Sequence, residues 1–143
     1  MRPLALVLLI CAGLTACGKS TEDKYKEGWP PIDRGLVALG NDVGEGLRST
    51  EDARIAGQFT GYERRLDDLR ERLDRLEAPD PLAKDHEALL AAMADVRRAL
   101  RDVAEAARRG DAAAARDAAT RLVRGGAALD QARSALAREV RAL

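Results

Sequence analysis

The feature of this chain that most constrains its fold is an unbroken helical spacing of apolar residues between positions 55 and 76. The apolar side chains recur at alternating steps of four and three residues: Ile55, Phe59, Tyr62, Leu66, Leu69, Leu73 and Leu76. This spacing lines them along one face of an α-helix, and charged residues fill most of the other positions. Pro79 and Pro81 follow, and they cannot continue a helix. The segment therefore predicts an amphipathic helix that buries one face against other elements.

Three further segments repeat this spacing, so the predicted fold class is all-α. The first segment contributes Ile32, Leu36, Leu39, Val43 and Leu47. The third contributes Leu82, His86, Leu89, Met93, Val96, Leu100, Val103 and Ala107. The fourth contributes Ala115, Ala118, Leu122, Gly125, Leu129, Ala132, Leu136 and Val140. Short connections make sequential helices antiparallel neighbours, which predicts an antiparallel four-helix bundle.

The boundary between the first two helices leaves one alternative open. Ser49 and Thr50 are typical N-cap residues of a new helix, which favours two separate helices. Without that break, the two would merge into a long kinked helix and give a three-helix bundle. Farther along, Gly110 is expected to end helix three, and Asp111 is expected to cap helix four.

The first residues of the chain predict export. Arg2 precedes the apolar run Leu4–Leu14, and small residues follow before Cys17. This is the layout of a secretory signal peptide, and the run is shorter than the roughly 20 apolar residues of a membrane-spanning helix. The segment Leu14–Cys17 resembles the lipobox of bacterial lipoproteins.

The lipobox resemblance implies a lipid anchor. It implies that residues 1–16 are removed as a lipoprotein signal peptide and that Cys17 carries diacylglycerol and an additional acyl chain such as palmitate. Residues 17–30 are then expected to form a lipidated flexible tether, and residues 31–143 the helical bundle domain. Because Gly18 is not the aspartate that retains enterobacterial lipoproteins, the expected location is the outer membrane facing the periplasm. In a bacterium with one membrane it is the cell surface.

A second resemblance concerns the helical region. It is similar to small uncharacterised helical-bundle lipoproteins of GC-rich bacteria, on the evidence of Leu76–Pro79, His86 and the Gly110–Asp111 turn. This resemblance implies a helical bundle, but it implies no particular activity.

Composition argues against several functional classes. Cys11 lies in the predicted signal peptide and Cys17 is the predicted lipidation site, which leaves no cysteine pair for a disulfide or a redox site. The formal net charge is +0 with interleaved signs, so no basic stripe for nucleic acid is expected. We find no acid–base pair and no nucleophile motif. The sequence therefore predicts a non-enzymatic protein with no cofactor and no catalytic residues.

His86 is the only histidine and the one weak candidate for a metal ligand. Metal sites need several converging ligands, so a packed histidine that hydrogen-bonds a neighbour near a bundle end is favoured. Asp85 and Glu87 are adjacent in sequence, but successive helical residues point about 100° apart and cannot converge on one atom.

Two further features are ambiguous. Gly40–Gly44 and Gly57–Gly61 have the spacing of a close helix crossing or a hinge, or they mark an irregular region. Tyr25 and Trp29 are candidates for a membrane interface, although Trp29 is expected instead to close one end of the bundle.

Three functions are compatible with these observations. The first is a membrane-tethered helical module that binds an envelope protein through an exposed helix face. The second is a small-ligand or metal carrier with a site in the bundle interior around Tyr62, His86 and Met93. The third is a structural spacer. A large internal cavity favours the second function, and a filled core with an exposed apolar patch favours the first.

Overall fold

The computed structural model describes residues 18–48 and 52–143, and its regular secondary structure in those ranges is entirely helical. The elements are α1 (Thr21–Gly46), α2 (Asp52–Asp74), a 3-10 turn (Asp80–Leu82), α3 (Ala83–Arg109) and α4 (Ala112–Ala142). The predicted four-helix bundle is confirmed. The three-helix alternative is wrong, because α1 ends before α2 begins. The proposed Ser49–Thr50 cap lies outside the described residues.

The helices follow an up-and-down course. Gly28 of α1 lies against Leu76, beyond the end of α2, whereas Gly46 at the end of α1 lies against Tyr62 in α2. Helix α3 occupies the centre and packs against both α2 and α4, whereas α1 packs against α2 and contacts α4 over a short stretch only. The bundle is therefore less completely closed between α1 and α4 than elsewhere.

The predicted apolar faces form the core. Side chains from all four helices make one cluster, which includes Leu36, Leu39, Phe59, Leu66, Leu73, Leu89, Met93, Leu100, Leu122 and Leu136. Removing each of these from water contributes about 1.5–3 kcal/mol to stability. The sequence spacing thus identified the buried face of each helix correctly.

The turn between α3 and α4 confirms the predicted cap residues. Gly110 has a φ of 64°, a left-handed conformation that glycine adopts without steric cost. The Asp111 carboxylate then accepts a hydrogen bond from the backbone N–H of Ala114 at 3.0 Å. These two residues end one helix and begin the next without a loop.

The predicted flexible tether at residues 17–30 is wrong for residues 21–30, which form the first turns of α1. Ser20 caps the helix by accepting a hydrogen bond from the Asp23 backbone N–H at 3.1 Å. Tyr25 is 0% exposed and Trp29 is 4% exposed. The burial of these two aromatic side chains stabilises a helix here, although most residues of the segment are polar.

The Pro30–Pro31 pair lies inside α1 instead of at its start. Each proline lacks the N–H that would bond the carbonyl four residues earlier, which costs a helix interior about 3 kcal/mol. The flanking Trp29 and Ile32 side chains are both buried in the core. Their packing keeps α1 against the other helices where the prolines remove its backbone hydrogen bonds.

Candidate functional site

A long apolar groove between α1 and α4 is the principal candidate site. It has a volume of about 380 Å³ and is open to solvent. Its lining is predominantly apolar and comes from α1, α3 and α4: Leu36, Val37, Leu39, Gly40, Asn41, Val43, Gly44, Leu47, Val96, Leu100, Leu122, Val123, Gly126, Leu129, Asp130 and Arg133. The groove lies between α1 and α4, which contact each other much less than either contacts its other neighbour.

The groove holds the exposed large apolar side chains of the described residues. Val37 on α1 is 44% exposed and Val123 on α4 is 61% exposed, and both line it. Gly40, Gly44 and Gly126 lie beside them, and a Cβ added at any of the three would meet no other atom within 4 Å. Glycine at these positions therefore keeps the groove wide.

One end of the groove is closed by an ionic cluster. Arg133 of α4 donates to Asp33 Oδ1 of α1 at 2.6 Å and to Asp130 Oδ1 at 2.8 Å. Burial by itself would lower the pKa of Arg133, but the hydrogen bonds to the two carboxylates outweigh it and raise that pKa. The cluster joins α1 to α4 at this end of the groove.

A buried polar pair lies at the end of the bundle where α1 begins. The Tyr25 Oη and the His86 Nδ1 are 2.8 Å apart, and the two rings meet edge to face. Burial lowers the pKa of His86 more than Asp74 and Glu87 raise it, so the imidazole is neutral at pH 7. Burial also raises the pKa of the Tyr25 phenol, which therefore stays protonated, so the hydrogen bond joins two neutral groups.

These contacts make His86 a packed histidine near a bundle end with a hydrogen-bonding neighbour, as the sequence favoured. In the part of the chain that the structure describes, no three His, Cys, Asp or Glu side chains gather as a metal site would require. Asp85 and Glu87 are more exposed than His86 and diverge from it. The Tyr25 side chain packs in the core, so the membrane-interface hypothesis is wrong for its position in this fold.

The hypothetical interior site around Tyr62, His86 and Met93 is not assembled. Tyr62 packs against Phe59 near the end of α1, with ring centroids 5.3 Å apart. Its neighbour Glu63 contacts Arg101, which lies 15 positions beyond His86 on α3, or about 22 Å along the helix. Met93 lies between them and is fully buried in the packed core.

The glycine pairs singled out in the sequence do not form close helix crossings. A Cβ at Gly40, Gly44, Gly57 or Gly61 would meet open space. Close approaches occur at other glycines instead: a Cβ at Gly35 would lie 2.6 Å from Leu69 Cδ2, and one at Gly125 would lie 3.3 Å from Val96 Cγ2. The spacing of glycines in the sequence therefore did not predict which of them face a neighbouring helix.

Most arginines of α3 pair with acidic groups, whereas Arg108 donates to the Thr60 hydroxyl. Arg97 Nε lies 2.7 Å from Asp67 Oδ1, and Arg101 Nη2 lies 2.7 Å from Glu63 Oε1, both across the α2–α3 interface. Arg98 pairs with Asp95 on the same helix. This side of α3 is therefore a solvated surface with alternating charges and not a basic surface for anionic headgroups.

Comparisons with known proteins found no matching family model, no matching curated protein and no matching solved structure. The helices within 18–48 and 52–143 include none with the length and hydropathy of a membrane span. The predicted signal peptide and the predicted lipidation site Cys17 lie outside the described residues. Geometry alone therefore defines the α1–α4 groove as the candidate site.

The groove was missed in the sequence, although one signal was present. Val37 and Val123 each follow a core leucine directly, so each lies beside the main apolar face of its helix and not on it. Glycines flank both valines within one turn or two. An apolar residue off the main stripe, next to residues without side chains, indicates a second apolar surface.

Proposed function

We propose that this protein is an exported lipoprotein, anchored through lipid on Cys17, that acts without catalysis as a helical protein-interaction module. Its binding surface is the α1–α4 groove. The observation that carries the proposal is that Val37 and Val123, the exposed large apolar residues of the described chain, border the same groove. Exposed apolar patches on monomers commonly mark interaction sites.

The shape and chemistry of the groove support a helical partner. On the α1 side its lining runs from Leu36 to the C-cap residue Leu47, a span of about 18 Å at 1.5 Å per residue. Leucine and valine side chains form most of its lining, and its charged residues, Asp130 and Arg133, lie at one end. An amphipathic helix laid into such a groove buries its apolar face in the way that helix-in-groove complexes do.

A small apolar ligand is the second candidate. The groove volume of about 380 Å³ falls within the roughly 300–1,000 Å³ range of ligand pockets. Against this candidate, the groove is open along its length and would leave much of a small molecule in water. The core around Met93 is filled, so the groove would have to supply the whole site.

The anchoring part of the proposal is tested by metabolic labelling with palmitate. The native chain is expected to take up label and to fractionate with membranes, the outer membrane if the cell has two. A Cys17→Ala chain is expected to take up none. Equal labelling of the two chains would contradict anchoring at this residue, irrespective of the groove.

The binding part is tested by photo-crosslinking in intact cells. A benzoylphenylalanine at Val123 places the reactive group in the groove, and one at Ala128 is the matched control, because it is exposed on the same helix about 140° away. Protein adducts from position 123 and not from 128 are expected. Adducts with lipid or a small molecule alone would favour the carrier, and a lack of adducts at position 123 would contradict both.

A further inference from the structure

The ionic cluster at one end of the groove has an excess of negative charge. Asp33 and Asp130 both accept hydrogen bonds from the same guanidinium, that of Arg133, so one carboxylate charge is left over. The next cation along α1, Arg34, lies about 100° around the helix from Asp33 and does not line the groove. A molecule that fills the groove therefore meets a negative charge at this end.

Asp130 is the member of the cluster that is available to a bound molecule. It lines the groove, and its side chain is 70% exposed. Both hydrogen bonds that it accepts from Arg133 go to Oδ1, and within the described residues no donor contacts Oδ2. A carboxylate accepts several hydrogen bonds, so Oδ2 can pair with a cationic side chain of a partner.

Two glycines face each other across the middle of the groove. Gly40 lies seven residues after Asp33 on α1, and Gly126 lies seven residues before Arg133 on the antiparallel α4. Seven residues are about two helical turns, so each glycine lies on the same face as its ion-pair residue and about 10.5 Å from it. A Cβ at either glycine would meet no other atom within 4 Å. We call this opening the glycine notch.

The exposed valines lie on either side of the glycine notch along the groove. Counted along its own helix, Val37 is about 6 Å from Asp33, and Val123 is about 15 Å from Arg133. A bulky side chain in the notch would therefore contact a valine on each side. Asp130 is about 4.5 Å from Arg133 along α4, which leaves about 6 Å, or four helical residues, between this carboxylate and the notch.

We propose that the groove binds an amphipathic helix of another protein that has a lysine or arginine beside Asp130 and, four positions along, a bulky apolar residue in the glycine notch. This inference rests on the proposed function, because it states the chemistry of the partner that the groove binds. Residues four positions apart lie on one face of a helix, so both side chains reach the groove together. The cation determines the register of the bound helix, and the bulky side chain buries most of the apolar area.

The first test measures the charge preference with a synthetic peptide. The probe is an alanine-based helix of about 18 residues with leucines along one face and a lysine four positions before the central leucine. Fluorescence anisotropy measures its binding to the full lipidated chain in nanodiscs of neutral lipid. The lysine peptide is expected to bind about two- to fivefold more tightly than a control peptide with glutamate in its place. Asp130→Lys is expected to reverse this preference, and an unchanged preference would overturn the proposal.

The second test fills the glycine notch. Gly126→Leu is expected to weaken binding of the lysine peptide by about tenfold or more, because its side chain occupies the space of the partner residue. Gly57→Leu is the matched control, because Gly57 is an exposed glycine of α2 that does not line the groove. Leucine favours a helix more than glycine does, so both variants are expected to fold, as thermal melts can verify. Native affinity in Gly126→Leu would overturn the proposal.

The third test separates this inference from the proposed function. In cells, Asp130→Asn is expected to lower the yield of protein adducts from the crosslinker at position 123. Gln131→Lys is the matched control, because it changes the net charge equally at an exposed neighbouring position outside the groove. A protein adduct with equal yield in the two variants would overturn the inference and retain the interaction module. A lack of protein adducts in the native chain would overturn both.

Discussion

At the scale of single residues, the Tyr25–His86 hydrogen bond is the most informative contact. It joins residues 61 positions apart and is the only contact of this kind between buried side chains in the described residues. Sequence spacing placed His86 on the buried face of α3, and a neighbouring hydrogen-bond partner was expected. The identity of the partner could not be predicted, because Tyr25 was assigned to a tether instead of a helix.

Replacing Tyr25 by Phe tests the energetic role of this pair. The change leaves the buried His86 Nδ1 without a partner, so the free energy of unfolding is expected to fall by about 1–3 kcal/mol. Urea denaturation followed by circular dichroism measures the difference. The control is Tyr25→Phe combined with His86→Leu, which removes both polar groups. This double variant should lose less stability than the single one, and an equal or greater loss would contradict the assignment.

The same pair predicts a pH dependence of stability. Burial holds the pKa of His86 below its unfolded value of about 6.5, so the unfolded chain binds this proton more readily than the folded chain. The contribution of neutral His86 is complete above pH 6.5 and is lost progressively as the pH falls below that value. Unfolding free energies between pH 7.5 and about 5.5 should therefore decline, before most carboxylates titrate. The Tyr25→Phe, His86→Leu variant should be flat across this window.

At the scale of elements, α1 shows where local rules and tertiary packing disagree. Charged and polar residues from Lys19 to Gly28, followed by two prolines, indicate a loop by composition. The structure instead has a helix from Thr21, because Tyr25, Trp29 and Ile32 lie on one face and pack into the core. Two aromatic residues four positions apart were the available signal that the segment is helical.

Trp29→Ala tests whether this segment belongs to the domain. Loss of a buried tryptophan typically costs about 3–5 kcal/mol, so a marked drop in melting temperature is expected. Lys24→Ala is the matched control, because Lys24 is exposed near the start of the same helix and its truncation should change stability by less than about 0.5 kcal/mol. Equal stability of the two variants would show that the segment does not pack as described.

The structural features differ in how well they could be predicted from the sequence. The faces of α2, α3 and α4 and the Gly110–Asp111 turn followed from periodicity and cap chemistry, which are local properties. The groove did not, because it depends on how far α1 and α4 separate. That separation is set by contacts distant in sequence, such as the one between Asp33 and Arg133.

At the scale of the whole molecule, packing is uneven around the bundle. Helix α3 has a neighbour on both sides along its length, whereas α1 has one full neighbour and a partial one. Local stability follows the number of packed neighbours, since opening a peripheral helix exposes less apolar surface. The most stable part of the molecule is therefore expected to be the centre of α3.

Hydrogen exchange measured by mass spectrometry tests this order. Amides near Leu100 in α3 are expected to exchange most slowly, and amides between Gly40 and Gly46 in α1 faster, because that half of α1 lines the open groove. Uniform protection of the four helices would contradict the uneven packing.

The up-and-down course of the helices also determines what lies near a membrane. The start of α1 and the last turn of α4 are at the same end of the bundle, and the groove begins about 22 Å from Thr21 and extends to about 39 Å. A chain held by lipid at residue 17 would therefore keep its C-terminal turn beside the headgroups and present its groove to the aqueous space. A reporter or affinity tag joined after Leu143 would be crowded against the bilayer, whereas one inserted between α1 and α2 would project away from it.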